Sequence, residues 1–407
     1  MKIYWIIIFT FICSIGVQSQ SLIWSKKSNP YFNSINSIAF NGDGTKVISG
    51  TDCHPAAIRM FDVNTDTLLW DYEVGSNFMC IMGIGFSSNN HYIASIEELG
   101  NILIFVYIKS IPTLINTIKT GASYGFSIAF SPNGKELAVG CSNGKLKTYD
   151  ISTGQPISDI NAHLNFVNSV AYSLDGTKIV SGGADDKIKT WDLTGKLLNT
   201  YTGHVSDVNF VKFTPDSKSI ISASSDKKIK IWDANSSTLI QTISGHRNAV
   251  NQIDISPDGT KIVSASSDST CKIWEFATGK MISSFGISDS GKINAVSWSP
   301  IGDKICTGNA ISDMSLWNVS GLLKTADTHA EFTFEISPNP VSRLSHIDLP
   351  NGLIPKYYRI IDVVGNEQQF TTDLALKSAI CALKPGNYIL QITCQDQKSA
   401  LKRFTKI

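Results

Sequence analysis

The chain has 407 residues, 42% of them hydrophobic and 17% charged, with a net charge of +1. A mature body of about 300 residues buries ample core without staples. The charge balance lacks the basic field that nucleic acid or an anionic membrane surface would attract.

The first segment, residues 1–19, opens with Met1-Lys2 and continues as an apolar run from Ile3 to Ile12. It closes on Val17-Gln18-Ser19. A charged start, an apolar centre and a small-residue end predict a signal peptide cleaved before Gln20. The run is short for a membrane span, which needs about 20 residues. Cys13 lacks the small-residue context of a lipidation site. We therefore expect a secreted chain, extracellular or held at the outer cell surface, with no transmembrane segment after processing.

Next comes Ser21-Leu22-Ile23-Trp24-Ser25, which echoes Thr67-Leu68-Leu69-Trp70-Asp71 further on. Between and beyond these, one phrase returns seven times: an aromatic or apolar lead residue followed by a turn such as Ser-Pro-Asp-Gly. The leads are Phe40, Phe86, Phe130, Tyr172, Phe213, Ile255 and Trp298, with steps of 46, 44, 42, 41, 42 and 43 residues. Roughly 20 residues after each lead stands a second aromatic column: Phe61, Phe105, Tyr149, Trp191, Trp232, Trp274 and Trp317. Alternating runs such as Lys228-Ile229-Lys230-Ile231-Trp232-Asp233 are half-buried strands of period two. Four short strands per unit at this period predict one propeller blade, and seven units predict seven blades. The orphan strand at Ser21–Ser25 is expected to clasp the last blade by pairing near Met314–Trp317. Leu322–Thr325 is the rival for that place.

Three repeats share a further set of residues at matching offsets: His163, Ser181, Asp185 and Trp191; His204, Ser222, Asp226 and Trp232; His246, Ser264, Asp268 and Trp274. The types are those of a nucleophilic triad, but a hydrolase needs one such set beside an oxyanion hole. Three copies, each with a Trp six residues after the Asp, predict a structural device within the blade. Gly203-His204 with Trp232-Asp233 resembles the GH…WD signature of WD40 repeats. Gly245-His246 with Trp274-Glu275 and Ala162-His163 with Trp191-Asp192 repeat the spacing. The resemblance spans roughly residues 22–325 and is degraded in repeats one, two and seven. It implies that each four-residue set is a hydrogen-bonded chain that holds its blade together, and no residue is expected to be catalytic.

After about residue 326 the repeat ends. Phe334–Val341, Tyr358–Asn366, Leu383–Ile392 and Lys402–Ile407 read as strands and turns of a small all-β unit. The Ser337-Pro338-Asn339-Pro340 opening, Ile360-Ile361-Asp362, Leu383-Lys384-Pro385-Gly386-Asn387-Tyr388 and a basic end resemble the C-terminal sorting domain of the type IX secretion system of Bacteroidetes. That resemblance implies a β-sandwich, immunoglobulin-like domain recognised by the type IX machinery. The expected domains are thus a signal peptide at 1–19, an all-β, seven-bladed WD40-type propeller at 20–326 and a sorting domain at 327–407. Seven cysteines remain after processing, an odd number at no repeating register, so no disulfide framework is expected. Cys53, Cys141 and Cys306 read as buried thiols, and Cys381 with Cys394 is the one pair marked for testing.

Aligning the repeats places two residues per blade at the mouth of the innermost strand, on the face WD40 proteins use for partners. They are Ser34 and Asn36, Cys80 and Met82, Tyr124 and Phe126, Phe166 and Asn168, Asp207 and Asn209, Ala249 and Asn251, Lys292 and Asn294. Met82, Tyr124, Phe126 and Phe166 form an apolar sector over blades two to four. With Asn168, Asp207, Asn209, Asn251, Lys292 and Asn294 they are the expected partner-binding set for a protein, a peptide or a glycan. The plainer reading is that the Asn residues are a repeat habit and the aromatics are half buried. An alternative function is an extracellular propeller enzyme, lactonase-like or quinone-dependent, with a metal or cofactor at the channel mouth. One carboxylate, Asp207, and no His make that ring a poor ligand set, so no cofactor and no metal are expected.

Overall fold

The computed structural model describes residues 20–27, 34–52, 56–74, 80–107, 111–122, 124–286, 291–311 and 313–322. Towards the C-terminus it describes 335–337, 346–348, 355–362, 367–370, 376, 380, 382–383, 386–394 and 399–406. The signal-peptide reading at 1–19 falls outside these residues.

Seven four-stranded antiparallel sheets follow one another along residues 21–318. We letter the strands of each sheet a to d from the channel outward. In blade four they are Val167–Tyr172, Lys178–Gly183, Ile188–Asp192 and Leu197–Tyr201. Strands b and c are almost wholly buried, because both faces of each sheet pack against neighbouring sheets. The second aromatic column, Phe61 to Trp317, is buried in every blade and supplies much of the interblade core. The clusters are shared between blades: Val180, Ile188 and Tyr201 of blade four face Val208, Val211 and Trp232 of blade five, while Trp191 packs with Ala138 and Leu146 of blade three. Glycine permits the closest approaches. A Cβ on Gly50 would lie 2.3 Å from Ile81 of blade two, and one on Gly308 would lie 2.4 Å from Ile35 of blade one.

The ring closes as the sequence predicts. Ser21–Lys27 is strand d of the seventh sheet, paired antiparallel with Asp313–Asn318 through Leu22 opposite Trp317 and Ser25 opposite Ser315. Of the rival segment only Leu322 is described, and it ends a single 3-10 turn, Ser320–Leu322. Trp24 donates from Nε1 to the Val63 carbonyl of blade one, 3.2 Å away, so the clasp also binds the first blade to the last.

The C-terminal residues form a further four-stranded antiparallel sheet, in the order Glu367–Phe370, Pro355–Asp362, Gly386–Cys394, Ser399–Lys406. A two-stranded pair, Glu335–Ser337 with His346–Asp348, precedes it. Pro355–Asp362, Gly386–Cys394 and Ser399–Lys406 overlap the predicted motifs, whereas His346–Asp348 and Glu367–Phe370 are strands the sequence does not announce. Gly386-Asn387 of the expected turn lie within a strand.

Candidate interaction face and central channel

The face begins with a backbone irregularity. In every blade the a–b register skips one residue: Asn36, Met82, Phe126, Asn168, Asn209, Asn251 and Asn294 have no partner on strand b. A bulge leaves its extra residue outside the ladder and re-aims its side chain. All seven line one central channel of about 420 Å³. The predicted second residue of each pair is therefore a channel residue, and the sequence gives no sign of the bulge that puts it there.

Five of these residues are Asn, and their amides work between blades. Asn168 donates to the Val208 carbonyl at 3.1 Å, Asn209 to Val250 at 2.9 Å and Asn251 to Ile293 at 2.8 Å. Asn36 reaches Ile81 at 3.4 Å, and Asn294 reaches the Ser34 hydroxyl at 3.3 Å. The carbonyl ends of Asn209 and Asn251 accept from Ser225 and Ser267. These contacts support the repeat-habit reading for Asn168, Asn209, Asn251 and Asn294: they stitch each blade to the next. Asp207, expected in the same ring, does not line the channel. The channel carboxylate is Asp254, which accepts from Lys212 Nζ at 2.5 Å and from the Trp298 amide at 2.8 Å. Sequence alignment missed it because it lies three residues beyond the ring position Asn251, toward the far end of strand a. Among the described residues no group of three or more His, Cys, Asp or Glu is placed to hold a metal ion.

The four-residue sets assemble as expected. Trp232 Nε1 donates to Ser222 Oγ at 2.9 Å, and Ser222 lies 2.8 Å from His204 Nε2. His204 Nδ1 in turn lies 2.7 Å from Asp226. Blades four and six repeat this through His163–Asp185 at 2.7 Å and His246–Asp268 at 2.9 Å. Burial pushes the His163 and His246 imidazoles below their ordinary pKa, against the opposing pull of Asp185 and Asp268. A neutral ring then donates from Nδ1 to the carboxylate and accepts the Ser hydroxyl at Nε2. Burial would raise the Asp268 carboxyl, but hydrogen bonds from Thr270, the Arg247 amide and His246 outweigh it and hold it at about 2. Ser181, Ser222 and Ser264 are fully buried, so no substrate reaches these hydroxyls.

Each Asp has one more task. It accepts the backbone N–H of the residue after the His: Leu164 on Asp185 at 3.2 Å, Val205 on Asp226 at 3.4 Å and Arg247 on Asp268 at 2.8 Å. The set thus fixes the d–a loop to the b–c turn and holds one side chain outward. Leu164 is 91% exposed and Val205 78%. At the same end, Tyr124 and Phe166 are each 43% exposed, and Leu99 in the b–c turn of blade two is 51% exposed. Phe126 stacks obliquely on Phe166, with centroids 5.3 Å apart, and carries the apolar surface into the channel beside Met82. The predicted sector over blades two to four is thus present, Tyr124 and Phe166 outermost and Met82 and Phe126 half buried. Leu99, Leu164 and Val205 extend it. Sequence alignment passed over the last two, although both immediately follow the signature His.

Two expectations about cysteine divide. Cys141, Cys271 and Cys306 are free and buried, with burial raising the Cys141 thiol to about 11. Cys80, at the start of strand a in blade two, is disulfide-bonded, which corrects the expectation that only Cys381 with Cys394 merits testing. Cys53 and Cys381 lie outside the described residues.

This architecture is a seven-bladed β-propeller, and it carries WD40 repeats. The family model of the WD domain, G-beta repeat, matches residues 116–150, 154–192, 195–233 and 237–275. The chain is also 28% identical over 137 residues to the WD repeat-containing protein 91 homolog of Dictyostelium discoideum. That alignment covers 32% of this chain and 17% of the relative, so the chain spans under a fifth of that protein's length. WD40 propellers typically act as scaffolds for protein interactions. No helix among the described residues is long and apolar enough to cross a membrane.

Proposed function

We propose that the chain is an exported bacterial interaction module that binds a protein or peptide partner on the d–a/b–c end of its propeller. It acts by binding and not by catalysis. The observation that carries this is the run of exposed apolar side chains Leu99, Tyr124, Leu164, Phe166 and Val205 on one end of a rigid ring. Clustered exposed apolar groups on a fixed scaffold are the anchors from which interfaces draw most of their energy. The disulfide at Cys80 supports export, because such bonds persist in oxidising compartments. The leader and the C-terminal motifs support a type IX route, with the final domain directing secretion or surface attachment.

The test is capture from native envelope and culture medium by the full chain, beside a Tyr124→Ala, Phe126→Ala, Phe166→Ala variant. The expected result is a partner held by the unmutated chain and lost by the variant. Equal capture by both would contradict the assignment of this face. Fractionation and N-terminal sequencing test the export reading separately, with Gln20 expected as the first residue of the exported form.

A further inference from the structure

The three residues held outward by the His-Ser-Asp-Trp sets are not alike. Leu164 and Val205 are apolar, and Arg247 in the next blade is a cation, all at one repeat position in consecutive blades. Arg247 has company: Lys227 on the b–c turn of blade five and Lys292 before strand a of blade seven are also exposed. Among the described residues, none of these three cations is in an ion pair. The carboxylates that would answer them, Asp226 and Asp268, are occupied by imidazoles and backbone amides. Among the described residues, the exposed charges at this end of blades five to seven are thus all positive, with Asp207 and Asp313 only half exposed, while blades two to five present the apolar anchors.

We propose that this end recognises an extended acidic segment of another protein, laid along the ring. Its apolar side chains would seat on Leu164, Phe166 and Val205, and its carboxylates would meet Arg247, Lys227 and Lys292. An arginine fork receives a carboxylate through two parallel hydrogen bonds, and here its backbone is already fixed by Asp268, which lowers the ordering cost of binding. The inference rests on the reading of this face as a binding surface and adds the chemistry of what it binds. An extended segment of twelve residues reaches ~40 Å, enough to run across several blades.

The probe is a displayed library of random twelve-residue peptides selected on the full chain. Binding is then measured for the unmutated protein, for Arg247→Glu and for Leu164→Ser/Val205→Ser, with thermal melts confirming that each variant folds. Arg247→Glu keeps the amide that Asp268 accepts and changes only an exposed side chain. The expected result is enrichment of peptides that place Asp or Glu beside aliphatic or aromatic residues. Their affinity should fall at least tenfold in both variants and weaken as salt is raised. Apolar peptides without acidic residues, indifferent to Arg247→Glu but lost with Leu164→Ser/Val205→Ser, would overturn the acidic partner and leave the face standing. Peptides indifferent to both variants, or no enrichment, would overturn this inference and count against the face as well.

Discussion

In blade five, Ser222 accepts the Trp232 indole and meets His204, and every polar group in the chain of contacts has a partner. In blades one and two the equivalent residues, Ser49 and Ser95, are equally buried, yet neither hydroxyl has any hydrogen-bond partner. Phe61 and Phe105 stand where Trp would donate, and Leu99 stands where Asp would accept. Blade seven is intermediate: Trp317 still donates, to Thr307 at 3.0 Å, while Asn309 takes over the turn amides of Ile311 and Asp313. One fold is therefore held in two ways. Blades four to six are locked by polar networks, whereas blades one and two rely on apolar packing such as Phe105 against Trp70 and Tyr72. The lesson is that a propeller blade keeps its shape without the network: the Glu98 amide still bonds the Cys80 carbonyl across the end loops of blade two, but Leu99 cannot supply the carboxylate anchor. Where that anchor is kept, a side chain is held outward.

The largest effect should follow Asp226→Ala, which strands a buried imidazole and two backbone amides. Loss of a group inside such a network costs about 3 kcal/mol, to be read by denaturant unfolding. Leu99→Ala, at the same position in blade two, touches only an exposed side chain and should cost under ~0.5 kcal/mol.

A sharper contrast comes from one substitution made twice. Ser222→Ala removes the acceptor of Trp232 and should cost about 1–3 kcal/mol. Ser95→Ala removes a hydroxyl that is already without a partner and should be neutral or stabilising. A loss at Ser95 equal to that at Ser222 would erase the distinction between the blades.

Acid should act on the locked blades selectively. The folded pKa values of His163 and His246 are lowered, so below the ordinary histidine pKa the unfolded chain takes up protons first and the folded state loses stability. Asp185, Asp226 and Asp268 are also lowered, so their contribution is present above the ordinary carboxylate pKa and fades as pH falls toward about 2, the value at Asp268. Denaturant midpoints should fall between pH 7 and pH 3, with the first decline set by the two imidazoles. A His163→Gln/His246→Gln variant should show a flatter profile over the upper part of that range.

Much of this was legible in the sequence, for identifiable reasons. The turn phrase and the aromatic column are local patterns, so blade number and the clasp at Ser21–Lys27 could be read by counting. The sets around Trp191, Trp232 and Trp274 recur at fixed offsets, which marked them as structural. The bulges at Asn36 to Asn294 were not legible, because a bulge is a property of pairing with strand b. Asp254 was hidden because its importance depends on Lys212 from the adjacent blade. The disulfide at Cys80 likewise depends on a spatial neighbour that no sequence register specifies. Leu164 and Val205 had a signal, the position after the His, but their exposure follows from the amide bond to Asp.

The His-Ser-Asp-Trp sets hold Leu164, Val205 and Arg247 on the proposed binding face through their backbone amides. The direct measurement is amide hydrogen exchange at Leu164, Val205 and Arg247, in the unmutated chain and in Asp226→Ala. The account predicts slow exchange at all three despite their exposed loops, with Val205 alone becoming fast in the variant. Fast exchange at Val205 in the unmutated chain, or no change on removing Asp226, would contradict it.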